Sequence, residues 1–210
     1  MIERGRFITL EGGEGTGKST LISGLKLALE ARGHIVITTR EPGGTPLAEQ
    51  VRALALTPPK GDPWTPLGHA LLMNTARDDL LTKLIRPALA RGTWVLSDRF
   101  ADSTRAYQSI DGVAGETLLQ IERIVVGATR PDLTLILDAK PADLAQRRQT
   151  RGIKDVFENK ELAFHDKVRD AFLSIVTAEP ERCKMIDALQ APEAVLKAAL
   201  VEIDQKMQMP

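Results

Sequence analysis

The chain has 210 residues, enough for one compact domain with a substantial buried core. Hydrophobic residues make up 43% and charged residues 27%, which is ordinary for a globular protein and excludes a disordered chain. Lys plus Arg number 28 and Asp plus Glu number 28, so the net charge is zero and no general nucleic-acid binding is expected, because that needs a basic excess.

The cysteine content and the first residues of the chain predict the cellular compartment of the protein. The single cysteine, Cys183, cannot form an intrachain disulfide, so a reducing environment is expected. Residues 1–6 run straight into a short apolar strand, without the longer apolar segment of an export signal. No uninterrupted apolar stretch approaches the roughly 20 residues that cross a bilayer. We therefore expect a cytoplasmic protein with no membrane partner.

Short β-branched runs alternate with longer segments of helical periodicity. In chain order, the first half is predicted to contain strand 7–10, helix 19–32, strand 34–38, helix 47–56, a proline-rich loop at 57–66 and helix 67–90. The second half is predicted to contain strand 94–96, a loop at 111–115, helix 116–126, strand 133–137, helix 142–151, a charged interruption at 152–158, helix up to 177, strand 184–186 and helix 193–206. This alternation predicts an α/β fold with three layers, in which helices flank a five-stranded, mostly parallel sheet. Residues 1–210 are expected to form one domain that binds ligands at the carboxyl ends of its strands.

The first predicted strand is followed by a phosphate-binding motif. Residues 12–19 read Gly-Gly-Glu-Gly-Thr-Gly-Lys-Ser and match G-x-x-x-x-G-K-[ST]. Glycines let backbone N–H groups surround phosphate oxygens, the next helix presents its positive end, and Lys18 reaches the β- and γ-phosphates. A chance glycine-rich turn is the alternative, but the flanking strand and amphipathic helix favour a P-loop NTPase fold. The predicted ATP-binding residues are Gly12, Gly13, Glu14, Gly15, Thr16, Gly17, Lys18, Ser19 and Thr20.

A later apolar strand ends in a carboxylate. Asp98 ends the run 94–98 and, together with the Ser19 hydroxyl, is expected to ligate Mg²⁺. A helix N-cap or a surface turn would also explain an aspartate at this position. Arg99 follows directly and would place a permanent cation beside the transferring phosphate. A GTPase is rejected because the nearest candidate for its N-K-x-D motif, residues 159–162, reads Asn-Lys-Glu-Leu.

Four segments together resemble the thymidylate kinase family. They are the P-loop with Glu14 inside it, residues 39–45 (Thr-Arg-Glu-Pro-Gly-Gly-Thr), residues 98–100 (Asp-Arg-Phe) and residues 103–108 (Ser-Thr-Arg-Ala-Tyr-Gln). Arg77 and a basic stretch at 147–154 add to a likeness that spans nearly the whole chain. The resemblance implies an ATP-dependent kinase that transfers the γ-phosphoryl group to dTMP, giving dTDP, with Mg²⁺ as cofactor. It also implies a homodimer formed through the helix predicted at 67–90.

The resemblance further implies where dTMP binds. The predicted substrate-binding residues are Arg40, Glu41, Pro42, Met73, Arg77, Arg99, Ser103, Thr104, Tyr107 and Gln108. The arginines at 40 and 99 would grip the phosphate, and the arginine at 77 would hold the base and the monophosphate region. Thr104 and Gln108 would hydrogen-bond the base edge, while Tyr107 would exclude a ribose 2′-hydroxyl. Solvated surface arginines and core packing of the tyrosine are the alternatives. Met73 stands where the family usually has a phenylalanine, so looser base discrimination is expected.

A lid is implied at about residues 147–158. Its cations, Arg147, Arg148, Arg151 and Lys154, would approach the γ-phosphate, whereas a solvated helix face is the ordinary alternative. The family usually shows Asp-Arg-Phe-Glu after the lid, and Val156 replaces that arginine here, so another lid cation would have to substitute. Glu14 would orient the phosphate donor or the sugar 3′-hydroxyl. The predicted catalytic residues are Lys18, Arg99, Glu14, Arg148 and Arg151.

Two other functions remain open from the sequence. A kinase of the same fold that acts on dUMP, UMP, CMP or a nucleoside would share most of these motifs. A non-enzymatic, nucleotide-switched protein would bind ATP without transferring phosphate, but its acceptor-site arginines would then lack a purpose.

Overall fold

The structure is a computed structural model that describes residues 4–59, 61–144 and 162–208. At its centre is a five-stranded sheet in the order β2-β3-β1-β4-β5, and every neighbouring pair of strands is parallel. The strands are β1 (Phe7–Gly12), β2 (Val36–Arg40), β3 (Trp94–Asp98), β4 (Leu133–Asp138) and β5 (Cys183–Asp187). The predicted α/β class and the five-stranded parallel sheet are confirmed.

The helices connect these strands in the expected alternation. They are α1 (Lys18–Ala31), α2 (Pro46–Leu56), α3 (Pro66–Leu80), a π-helical turn (Leu81–Ile85), α4 (Arg86–Ala90), α5 (Ala101–Ile110), α6 (Gly115–Val126), α7 (Leu162–Ala178) and α8 (Pro192–Met207). Residues 141–144 are also helical. Within the described ranges, no helix combines the length and the apolarity needed to cross a bilayer.

Helices cover both faces of the sheet, which is why its strands are apolar on both sides. On one face, Leu25 of α1 and Ile203 of α8 belong to one buried cluster with Leu10 of β1. On the other face, Phe7 and Val95 pack against α4 and the π-helical turn. The three layers leave the carboxyl ends of β1, β2 and β3 side by side at one edge.

Threonine side chains fix the starts of two helices near that edge. The Thr45 hydroxyl accepts a hydrogen bond from the backbone N–H of Ala48 at the start of α2. The Thr65 hydroxyl accepts in the same way from Gly68 at the start of α3. A proline occupies the first turn in both cases, where its missing N–H is not needed.

Two elements differ from the sequence prediction. The helix predicted at 67–90 is broken into α3, the π-helical turn and α4, a change that a 3.6-residue periodicity does not reveal. No helix was predicted for the residues of α5, whose buried face carries polar side chains, among them Asp102, Thr104 and Gln108. The predicted helical and charged segments between 145 and 161, including the lid at 147–158, lie outside the described residues.

Candidate active site

The loop that follows β1 is shaped by glycines and closed by a lysine. Gly12 has a φ of 124°, and a Cβ there would collide with the backbone carbonyl of Leu137. Gly17, with a φ of 92°, precedes the first residue of α1. The Lys18 ammonium donates to the carbonyl oxygens of Gly12 and Gly13 at 3.2 and 2.8 Å. Burial, aided by the nearby Arg99, lowers the pKa of Lys18 to about 8. The loop backbone therefore curves around the Lys18 ammonium group.

Two oxygen-bearing side chains meet at the start of α1. The Ser19 hydroxyl donates to Asp98 Oδ2 at 3.3 Å, and Asp98 lies beside Leu10 in the register of β1 and β3. Among the residues that the structure describes, no group of three or more His, Cys, Asp or Glu could hold a metal by itself. A pair of hard oxygen ligands fits Mg²⁺, which keeps several waters and takes further oxygens from phosphates.

Arg99 links the loop to the residues beyond β3. Its guanidinium donates to the Gly12 carbonyl and the Ser103 hydroxyl, both at 3.0 Å, and to Glu14 Oε1 at 2.9 Å. The Tyr107 hydroxyl donates to the same Glu14 oxygen at 2.7 Å. Burial opposes ionisation of Glu14, but the charges of Arg99 and Lys18 outweigh it and lower its pKa. An ionised carboxylate thus holds the arginine against the loop.

A pocket opens next to this arginine, between the ends of β2 and β3 and the helices α2, α3 and α5. All ten predicted substrate-binding residues line it, together with five others: Glu14, Arg52, Leu56, Asp98 and Phe100. They come from six segments of the chain, which the parallel sheet brings to one edge. The pocket therefore begins where the loop after β1 ends.

Arg77 forms the inner wall of the pocket. Its guanidinium donates to Glu41 Oε2, Asn74 Oδ1 and the Thr104 hydroxyl at 2.8, 2.8 and 2.9 Å. Only 2% of the residue is exposed, and its guanidinium carbon lies 5.3 Å from the centre of the Phe100 ring. Burial raises the pKa of Glu41 to about 7, and the Arg77 charge opposes that rise. The arginine is held in one orientation by neighbours on three elements.

The outer wall is built from residues 40–52 and is more open. Arg40 donates to Glu49 at 3.0 Å, and its side chain is 56% exposed. Glu49 also accepts from the backbone N–H of Gly44, while Arg52 donates to the carbonyl of Pro42 at 2.7 Å. Arg40 therefore borders the pocket from its solvent side and is not buried inside it.

Known proteins are similar to this chain in sequence and in fold. A sequence model of the thymidylate kinase family matches residues 10–199. The chain belongs to this family. A thymidylate kinase of Caulobacter vibrioides is 50% identical over 206 residues, covering 97% of this chain and 98% of that protein. A thymidylate kinase of Chromohalobacter salexigens is 46% identical, with 97% of each chain covered.

A solved thymidylate kinase structure agrees with the fold. The crystal structure from Ehrlichia chaffeensis has a TM-score of 0.76 and 29% sequence identity, and the match covers 95% of this chain and 99% of that one. The predicted resemblance is confirmed, and the activity is that of a thymidylate kinase, an ATP-dependent nucleoside monophosphate kinase that converts dTMP to dTDP. The predicted P-loop NTPase fold is confirmed as well.

Several residues at this thymidylate kinase site were not anticipated from the sequence. Glu11 is fully buried in β1 and accepts hydrogen bonds from the start of α5. Asn74 holds Arg77, and His165 of α7 has its Nδ1 3.7 Å from Glu14 Oε2. The predicted strand ended at residue 10, so the sequence did not indicate that Glu11 belongs to β1 and is buried there. The predicted catalytic residues Arg148 and Arg151 lie outside the described residues.

Proposed function

We propose that dTMP occupies the pocket beside α3 and α5, and that the phosphates of ATP lie in the loop after β1. The observation that carries this arrangement is the position of Arg99, which contacts the loop at Gly12 and also lines the pocket. A cation at that junction would face the phosphates of ATP and the single phosphate of dTMP at once. A dTMP phosphate oxygen would attack the γ-phosphorus in line and displace ADP.

On the donor side, the loop backbone and Lys18 would hold the β- and γ-phosphates. The hydroxyl of Ser19 and the carboxylate of Asp98 would hold Mg²⁺, which supplies charge neutralisation on the phosphate oxygens when bound. Thr16 supports the loop because its hydroxyl donates to the Gly13 carbonyl at 3.0 Å. Glu14 would keep Arg99 at the junction.

On the acceptor side, Arg99 and Arg40 would bind the dTMP phosphate, and Arg77 would face the base. Gln108, which is 1% exposed, would complete the hydrogen bonds to the base edge with Thr104. The attacking phosphate is already anionic, so no general base is required and positioning supplies most of the rate enhancement. The family's lid cations, Arg148 and Arg151 in this sequence, would add positive charge at the γ-phosphate.

Two exposed apolar positions support the proposal of a homodimer. Leu71 of α3 is 48% exposed and Ile124 of α6 is 82% exposed, on helices that pack against each other. We propose that these two positions contact a second copy of the chain, as the family likeness implies. A cytoplasmic location of a single-domain enzyme is also proposed, and the buried free thiol of Cys183 is compatible with it.

An ADP-release assay with a panel of acceptors tests the proposed function. With ATP and Mg²⁺, dTMP should be phosphorylated with a higher kcat/KM than dUMP, UMP, CMP or thymidine. Lys18→Ala should lower kcat/KM for dTMP by about 10²- to 10³-fold, because a preorganised cation at the transferring group is lost. Thermal unfolding would show that the variant remains folded. A folded Lys18→Ala enzyme with near-normal turnover would contradict the donor-side assignment.

A further inference from the structure

The backbone of Arg99 adopts a conformation that arginine rarely takes. Its φ is 69°, in the left-handed region, and among the described residues the only other non-glycine with a positive φ is Gln208 at the end of α8. Such a conformation costs free energy and persists where surrounding contacts hold it, often at functional sites. Arg99 lies at the junction of the two proposed phosphate sites, so the contacts that hold it in this conformation bear on phosphate binding.

Glu11 supplies contacts on the carboxyl-terminal side of Arg99. Its Oε1 accepts from the backbone N–H groups of Phe100 and Ser103 at 2.7 and 3.2 Å. Phe100 precedes the first residue of α5 and makes no side-chain capping bond of its own. The Glu11 side chain of β1 therefore caps α5. Burial raises the pKa of Glu11 to about 7, so at pH 8 the ionised carboxylate places negative charge at the positive end of that helix.

A second link runs through a hydroxyl group. Ser103 Oγ lies 2.5 Å from Glu11 Oε2 and 3.0 Å from an Arg99 guanidinium nitrogen. A serine hydroxyl has one proton and can also accept. Donation of that proton to Glu11 turns the oxygen lone pairs toward Arg99, so the carboxylate orients the acceptor that holds the guanidinium.

We propose that Glu11 is a positioning residue that keeps Arg99 aimed at the phosphate of dTMP. It does so by capping the turn after Arg99 and by orienting the Ser103 hydroxyl. The inference rests on the proposed role of Arg99 in binding that phosphate. Glu11 itself is enclosed within the protein and touches neither substrate, since it is fully buried and is not among the residues that line the pocket.

A comparison of dTMP with thymidine tests the proposal, because thymidine lacks the phosphate. Calorimetric affinities for both ligands are measured at pH 8, where Glu11 is ionised, on the wild type and on Glu11→Gln and Arg99→Ala. Glu11→Gln should weaken dTMP binding by about tenfold, the scale of a partly lost charge-assisted hydrogen bond, and leave thymidine binding unchanged. In the Arg99→Ala background, Glu11→Gln should cause no further loss of dTMP affinity, because its effect is transmitted through the arginine.

Asp102→Asn is the matched control. Asp102 is a buried carboxylate in the first turn of α5, but it contacts Arg105 and Arg182, not Arg99. This variant should leave the ratio of the dTMP and thymidine affinities unchanged. If it lowers that ratio as Glu11→Gln does, general loosening of α5 explains the effect and the proposal is overturned.

The remaining outcomes separate the inference from the proposed function. If Arg99→Ala lowers the affinity ratio and Glu11→Gln does not, the positioning role of Glu11 is wrong while the role of Arg99 stands. If Arg99→Ala leaves the ratio unchanged, the proposed phosphate-binding role of Arg99 is wrong, and the positioning role of Glu11 is then wrong as well. Should Glu11→Gln not fold, Glu11→Asp decides in the same way, because the shorter side chain keeps the carboxylate but withdraws it from the backbone N–H of Phe100 and from the Ser103 hydroxyl.

Discussion

Arg77 and Glu41 form an ion pair that is almost completely removed from solvent. An Arg77 guanidinium nitrogen lies 2.8 Å from Glu41 Oε2, and the two side chains are 3% and 4% exposed. Burial of two charges is favourable only when each compensates the other and their hydrogen bonds are filled. Loss of either partner would leave an unpaired charge at the inner wall of the pocket.

Glu41→Gln should therefore destabilise the enzyme by about 3 kcal/mol at pH 8, where the wild-type carboxylate is ionised. The measurement is the free energy of unfolding in urea. Arg32→Gln is the control, because Arg32 pairs with Asp204 at the surface and such pairs contribute at most about 1 kcal/mol. Equal losses in the two variants would show that the buried pair contributes no more than a surface one.

Two adjacent glycines of the loop should respond differently to alanine. Gly12→Ala forces a side chain into a φ of 124° and against the Leu137 carbonyl, so we expect a loss of at least about 3 kcal/mol. At Gly13 an added Cβ meets no atom within 4 Å, so Gly13→Ala should unfold close to the wild-type temperature. Thermal unfolding without nucleotide compares them. Similar unfolding temperatures for both variants would contradict the steric argument.

The sequence could predict those parts of the site that are local motifs. The loop before Lys18 and the strand end at Asp98 are recognisable because each needs particular residue types at fixed spacing. The ten substrate residues were identified by resemblance, and the structure brings all of them to one pocket. Their roles in binding stay predictions, of which those of Arg99 and Met73 are testable by dTMP affinity and kinetics.

The features of the fold and the site that the sequence could not predict depend on contacts between residues far apart in the chain. The sequence did not predict helix α5, because several of its buried positions are polar and break the apolar periodicity. Polar residues are tolerated there because Glu11, Arg182 and the pocket lie beside them. Glu11 and Ser103 are 92 residues apart, and no periodicity relates them. Asparagine has a low helix propensity, so the sequence gives no reason for Asn74 in the middle of α3. The structure supplies the reason, because the Asn74 side chain accepts a hydrogen bond from Arg77.

Met73 provides a test of base recognition. It is 8% exposed and lines the pocket beside Arg77, where a phenylalanine could stack on thymine. Met73→Phe should lower the KM for dTMP by roughly two- to tenfold, the scale of an added aromatic contact, with the KM for ATP unchanged. Steady-state kinetics with dTMP and dUMP provide the measurement. An unchanged KM for dTMP and an unchanged preference over dUMP would mean that this side chain does not contact the base.

Glu179 makes the stability of the fold depend on pH in the acid range. Burial disfavours its charge, but hydrogen bonds from Arg182 and Arg105 outweigh this and lower its pKa from 4.5 to about 2. A lowered carboxylate pKa contributes stability above pH 4.5 that is lost as the pH falls toward 2. Because the side chain is partly exposed, solvent screening reduces this contribution, and Glu179→Gln should cost about 1–2 kcal/mol at pH 7.

The difference between wild type and Glu179→Gln should shrink as the pH is lowered from 4.5 to 3, because the wild-type carboxylate then loses its advantage. Urea unfolding at pH 7, 5, 4 and 3 measures it. Glu30→Gln is the control, since Glu30 pairs with Lys26 at the surface at 3.9 Å, and its effect should stay near zero at every pH. A deficit of Glu179→Gln that stays constant down to pH 3 would show that the arginines do not stabilise the ionised form, and that the loss comes from packing alone.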